Sequence, residues 1–137
     1  MTDPSAQPGA RTASYWAGWA LSGLVIAFMI MDFTMKLLVL PVVLQASGAL
    51  GFIGPDIARQ LGVILLVCTV LYAVPQTTVL GAILLTGYLG GAVASHVRAG
   101  NPLFSHVLFG VYLGVMLWGG LWFRDPRIRA LMPLRRA

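Results

Sequence analysis

Apolar residues fall into four long blocks along this chain, and short polar or turn-forming segments separate the blocks. Between Arg11 and Arg124 only five residues carry a formal charge, and these are Asp32, Lys36, Asp56, Arg59 and Arg98. A soluble domain of this length has too much surface to leave nearly uncharged. Since a helix needs roughly 20 apolar residues to cross a bilayer, the pattern predicts an all-α integral membrane protein, a four-helix bundle.

Turn-forming residues place the boundaries of the four predicted spans, at about residues 14–40, 55–74, 78–97 and 102–123. The fourth span is expected to begin with Asn101 as its cap and Pro102 at its first position. Residues 42–53 are apolar but interrupted by glycine, which favours a loop or a short interfacial helix at the outer surface. We expect residues 1–13 to be a disordered cytoplasmic segment and residues 125–137 a basic cytoplasmic tail.

Composition supports a membrane protein and argues against other classes. Hydrophobic residues make up 58% of the chain and charged residues 9%, whereas a soluble domain is about 25% charged. The net charge is +5, but five of the nine basic residues lie in the last fourteen positions. This placement is typical of an anchor at anionic lipid, so no nucleic-acid binding is expected. With Cys68 as its single cysteine, the chain cannot form an internal disulfide or a CxxC redox centre.

The distribution of basic residues predicts the orientation. With four spans, Arg11 and the five tail arginines lie on one side, against three basic residues (Lys36, Arg59 and Arg98) on the other. The positive-inside rule then places both the N and C termini in the cytoplasm.

Asp32 and Lys36 are the first candidates for chemistry. They stand four residues apart with the acid first, which is the favoured order for a helical ion pair. Ionisable groups at membrane depth are costly and usually face the bundle interior or a wet cavity. Two interpretations follow: a self-neutralised pair with the lysine directed outward, or a pair that handles substrate or protons.

Two histidines flank the turn between the third and fourth spans, which puts them at similar depth near the outer surface. Most reactive side chains are therefore expected at one end of the bundle, in a group that we call the polar cluster: Asp32, Lys36, His96, Arg98, Ser105 and His106. We assign catalytic acid–base roles to Asp32 and His96, and substrate binding to Lys36, Arg98, Ser105 and His106. Histidines that only hydrogen-bond to close the hairpin are the alternative, and Tyr88 is expected to pack.

Metal and haem sites receive less support from the sequence. Asp32 and the two histidines are ligand types suited to zinc or non-haem iron, and a bundle can hold haem between two histidines. However, the chain has no HxxxH spacing. We therefore predict no metal site and leave the cofactor undetermined.

Small residues at helical spacing predict close packing of the third and fourth spans. Gly87 and Gly91 share one face of the third span, and Gly110 and Gly114 share one face of the fourth. Such faces let backbones approach closely within a membrane. Packing within the chain is the first interpretation, and contact between copies in a homo-oligomer is the second.

Three segments resemble DoxX-like membrane proteins. They are LGAILLTGYLGGAVASHVR with the following NPLF, the ending LWGGLWFRDPR, and the DxxxKL element that begins at Asp32. The resemblance implies a four-helix bundle in the bacterial inner membrane, with Asp32, Lys36, His96 and Arg98 as positions of the family pattern. It also implies an association with quinone reduction or oxidative-stress complexes.

Three functional hypotheses follow. The first is a redox-associated accessory protein that binds a lipophilic small molecule, such as a quinone, near the outer leaflet and works with a redox partner subunit. The second is an intramembrane isomerase or hydrolase that acts on an apolar substrate, with Asp32 and His96 as acid and base. The third is a non-catalytic carrier or assembly factor in contact with membrane lipid, in which the polar cluster only stabilises the bundle.

Overall fold

A computed structural model describes residues 12–134, and all regular structure in this range is helical. The helices are α1 (Ala13–Leu37), α2 (Pro41–Ala49), α3 (Pro55–Ala73), α4 (Thr78–Arg98), a π-helical turn (Leu103–Val107), α5 (Phe109–Arg124) and α6 (Pro126–Leu131). Four segments, α1, α3, α4 and the π turn with α5, are long and apolar enough to cross a membrane. The predicted fold class is confirmed. Residues 1–13 were expected to be disordered. Of these, only residues 12 and 13 are among the described residues, and the rest lie outside them.

The four long helices form an antiparallel ring in which α1 contacts α3 and α5, and α4 contacts the same two helices. Because the connections are short, the C-terminal ends of α1 and α4 meet the start of α3 and the π turn. The helix α2 lies at this end, which we call the α2 end. The ends of α3 and α5 lie at the opposite end, together with α6.

The segment between the first two spans is a short helix rather than a loop. Pro41 occupies the first turn of α2, where its missing N–H costs nothing. Gly51 and Gly54 follow with φ values of 88° and 104°, which residues with a side chain rarely adopt. These two residues turn the chain into Pro55, so that α2 packs against α3.

A buried hydrogen-bond chain joins three of the four spans. The Tyr72 side chain is 1% exposed, and its hydroxyl donates to the Leu117 carbonyl oxygen at 3.0 Å. The hydroxyl of Ser22, also buried, lies 2.9 Å from the Tyr72 oxygen and donates to it. A bilayer offers no water to satisfy such groups, so this chain connects α1, α3 and α5 at defined positions.

Glycines allow close approach at some helix crossings. A Cβ built on Gly18 would lie 2.7 Å from the Gly120 carbonyl oxygen, and one on Gly110 would lie 2.9 Å from Val93. A Cβ on Gly81 would overlap the backbone of Tyr72. The prediction of close packing therefore holds at Gly110.

Close packing within the chain is not found at three other glycines, and contact between copies there stays a prediction. A Cβ on Gly87, Gly91 or Gly114 would meet no atom within 4 Å. Gly87 and Gly91 are exposed and line a cavity bounded by all four long helices, whereas Gly114 lines a groove between α4 and α5. Small residues on one face of a helix leave space beside that face. At these three glycines no neighbouring helix fills the space.

The start of the fourth span also differs from its prediction. Residues 103–107 form a wide π turn, and the Asn101 side chain does not cap it. The Asn101 amide instead bonds to the His96 ring. Single π turns inside helices occur often at functional sites, and this one carries His106.

Candidate functional site

A cavity of about 520 Å³ lies at the α2 end of the bundle and is lined by residues of every long helix and of α2. This volume is within the range of small-molecule sites, about 300–1,000 Å³. The polar or ionisable lining side chains are Asp32, Lys36, Ser47, Tyr88, Ser95, His96 and His106. The aromatic and larger aliphatic ones are Phe28, Met29, Leu50, Phe52, Leu61, Leu89, Val93, Phe109 and Leu113.

The ion pair between Asp32 and Lys36 forms one wall of this cavity. The Lys36 ammonium donates to the Asp32 carboxylate across one turn of α1. The two side chains are 24% (Asp32) and 14% (Lys36) exposed. Gly62 of α3 lies against the base of the lysine, since a Cβ there would be 3.0 Å from the Lys36 Cβ. The charges neutralise each other and still face the cavity.

The two histidines meet at the cavity from different elements. His96 belongs to the last turns of α4, and His106 belongs to the π turn. Their ring centroids are 5.7 Å apart, with the planes inclined by 63°. Each ring is held at Nδ1: that of His96 by the Asn101 amide at 2.7 Å and that of His106 by the Ser105 hydroxyl at 2.7 Å.

Two of the six predicted site residues do not line the cavity. The Arg98 guanidinium donates to the Leu50 carbonyl oxygen and thereby ties the end of α4 to the end of α2. The Ser105 side chain is exposed and contacts the His106 ring. Each of these residues therefore supports a residue that does line the cavity, whereas Asp32, Lys36, His96 and His106 line it directly.

Several lining residues were not predicted from the sequence, and Tyr88 is the most important of them for chemistry. Its phenol lines the cavity, although Tyr88 was expected to pack. A signal was present, because Tyr88, Gly91, Ser95 and His96 follow the i, i+3, i+7, i+8 spacing of one helical face. Phe28 and Phe109, whose rings meet at 5.3 Å across α1 and α5, had no comparable signal.

The arrangement suits an amphiphilic ligand. In residues 12–134, no three His, Cys, Asp or Glu side chains come together in a way that could hold a metal ion. Cys68 is buried in the core of α3 and does not line the cavity. What the cavity offers is a carboxylate, an ammonium, two imidazoles and a phenol beside aromatic and aliphatic walls. Such a site is lined mostly by apolar groups, with a few polar groups that fix the orientation of a ligand.

A second, apolar groove lies between α4 and α5. It has a volume of about 420 Å³, and no charged residue is among those that line it. Gly90 and Gly114 form part of its floor. At its side the Trp118 indole donates to the Thr86 hydroxyl at 2.8 Å. This groove has none of the ionisable groups of the cavity.

Four helices of bilayer length define a multi-pass helical membrane protein. The sequence profile of the DoxX-like family matches residues 20–120. The chain belongs to this family, which confirms the resemblance found in the sequence. No curated protein and no solved structure matches the chain significantly.

Proposed function

We propose that this DoxX-like protein is redox-associated and binds a lipophilic molecule with a polar ring, of the quinone class, in the cavity at the α2 end. The observation that carries the proposal is the composition of the cavity wall. An ion pair, two histidines and a tyrosine converge on a space of about 520 Å³ that is otherwise apolar. A ligand with a polar ring and an apolar tail would satisfy both parts of this wall.

The polar ring of the ligand would lie at the level of Asp32 and His96. Imidazole and carboxylate groups can hydrogen-bond to the oxygens of a quinone and exchange protons with them. Lys36 and His106 would complete the contacts. A quinone would take its electrons from a partner protein, and the residues of this chain would supply positions for its protons.

The apolar part of the ligand would lie deeper in the bundle. The cavity extends along α4 from His96 to Gly87, about 13 Å at 1.5 Å per residue. Phe28, Phe109 and Leu113 line this deeper part. Because Gly87 and Gly91 present no side chain, a flat ring or an acyl chain could lie against the helix backbone.

We further propose that the α2 end faces the outside of a bacterial inner membrane and that both termini are cytoplasmic. The basic residues support this orientation, since five arginines follow Phe123. The Arg124 guanidinium also lies 4.2 Å from the centre of the Trp19 ring, as expected of anchoring residues at a membrane interface. A cytoplasm-active reporter fused at the C terminus should be functional, and activity of a periplasmic reporter there would reverse the orientation.

A matched pair of glycine variants tests ligand binding. Gly91 faces the cavity and Gly90 faces the α4–α5 groove, and a Cβ at either position meets no atom within 4 Å. We expect Gly91→Leu to abolish binding of a decyl-benzoquinone by the purified protein and Gly90→Leu to leave it unchanged. Equal affinity in both variants, or no binding by the unmodified protein, would refute the proposal.

A further inference from the structure

Asn101 makes two contacts with His96 across the turn that ends α4. Its side-chain amide nitrogen lies 2.7 Å from the His96 Nδ1, and its backbone N–H donates to the His96 carbonyl oxygen at 3.1 Å. Gly100, with a φ of 70°, turns the backbone so that Asn101 can reach back. The Asn101 side chain makes no capping bond to the π turn. The amide is therefore committed to the histidine ring.

We infer that Asn101 is a positioning residue that fixes His96 as the tautomer with its proton on Nε2. An amide nitrogen can only donate a hydrogen bond, so Nδ1 of His96 must accept. A neutral imidazole with an accepting Nδ1 carries its proton on Nε2. Asn101 does not line the cavity whereas His96 does, so Nε2 is the ring nitrogen left for a ligand.

A proton on Nε2 of His96 restricts which ligand atoms can form a hydrogen bond with this ring. A donating Nε2–H favours a ligand atom that accepts a hydrogen bond, such as the carbonyl oxygen of a quinone, over a hydroxyl hydrogen of the reduced quinol. This deepening rests on the proposed function. His106 differs because the Ser105 hydroxyl at its Nδ1 can either donate or accept. Of the two histidines, His96 is the one whose Nδ1 faces an amide nitrogen, which can donate but cannot accept.

The tautomer can be measured without any ligand, because the chain has only two histidines. Nitrogen-15 NMR of histidine-labelled protein in nanodiscs, without a histidine tag, would be recorded at about pH 9, well above the ordinary histidine pKa of about 6.5. A His106→Gln variant assigns the signals. We expect an unprotonated Nδ1 and a protonated Nε2 for His96. A protonated Nδ1 would overturn the inference whether or not the protein binds quinone.

Two substitutions at Asn101 test its influence on the ring. With the ring neutral, at the same pH of about 9, the carboxylate of N101D accepts from Nδ1–H and Nε2 becomes the acceptor, whereas N101A should give a mixture of tautomers. We expect N101D to bind decyl-benzoquinone about tenfold more weakly, which is the loss of about one hydrogen bond, and to bind the corresponding quinol no more weakly. Equal weakening for both ligands would show a merely structural role and overturn the inference. Absence of quinone binding by the unmodified protein, with the expected tautomer, would refute the proposed function alone.

Discussion

The rings of His96 and His106 meet edge to face, with centroids 5.7 Å apart, although they belong to different helical elements. His96 lies in the last turn of α4, and His106 lies on the π turn that begins the fourth span. The turn between them therefore contributes directly to the site, because its backbone brings both imidazoles to the cavity. Substitutions away from the cavity can test the stability of the bundle. Substitutions at the cavity can test its chemistry.

The Asp32–Lys36 pair should show strong coupling in a double-mutant cycle. Asp32→Asn leaves an ammonium in apolar surroundings, and we expect it to lower the free energy of unfolding by about 1–3 kcal/mol. Adding Lys36→Met removes the uncompensated charge and should restore most of that loss. Denaturation in mixed detergent gives the free energy of unfolding of the unmodified protein, of the two single variants and of the double variant. Additive effects of the two substitutions would mean that the pair contributes nothing.

Gly81 should tolerate no side chain. A Cβ at this position overlaps the backbone of Tyr72 where α3 and α4 cross, so Gly81→Ala should cost about 1–3 kcal/mol or more. Gly23 lies in α1 with open space around it. Gly23→Ala should therefore stabilise the helix by up to about 1 kcal/mol. Thermal unfolding of both variants gives the comparison, and a neutral Gly81→Ala would contradict the crossing described here.

The Tyr72 hydroxyl should contribute more to stability than that of Tyr112. Tyr72→Phe leaves the buried Ser22 hydroxyl and the Leu117 carbonyl without their partner, at a cost of about 1–3 kcal/mol. Tyr112 is exposed, and its hydroxyl donates to the Phe104 carbonyl at 3.1 Å. Tyr112→Phe should change the free energy of unfolding by less than about 1 kcal/mol. The same unfolding assay checks both, and equal losses would argue against the buried chain.

Arg98 should control the mobility of α2. Its guanidinium holds the Leu50 carbonyl at the end of α2, so Arg98→Ala should speed hydrogen exchange at the backbone amides of residues 42–52 while the core of the bundle stays protected. Arg59→Ala is the control, because Arg59 makes only an exposed pair with Asp56 at 3.4 Å. Unchanged exchange in Arg98→Ala would show that α2 is held by its packing on α3 alone.

The four long helices follow from the sequence because the thickness of a bilayer requires long apolar segments, whatever the details of packing. Competition between local interactions explains one feature that the sequence left undecided and one that it predicted wrongly. Residues 42–53 fitted a loop or a helix equally well, and α2 forms by packing on α3. Asn101 suited a helix cap by its position, but its side chain bonds to His96 instead.

The cavity was harder to predict than the polar cluster around it. Ionisable residues gathered at one end of the bundle because a membrane protein places them away from lipid, which the spacing of Asp32, His96 and His106 already indicated. Gly87 and Gly91 could not be assigned in the same way. A face of small residues either admits a neighbouring helix or leaves space for a ligand, and only the positions of the other helices decide between these outcomes.

Photolabelling would show directly whether a quinone-class ligand occupies the cavity at the α2 end. A decyl-benzoquinone with a diazirine in its decyl chain would be irradiated with the protein in nanodiscs, and the labelled residues identified by mass spectrometry. We expect labels on cavity residues such as Phe28, Tyr88 and Phe109, and their loss in Gly91→Leu but not in Gly90→Leu. Labels confined to the α4–α5 groove, or spread over the lipid-facing surface, would contradict a ligand site at the α2 end.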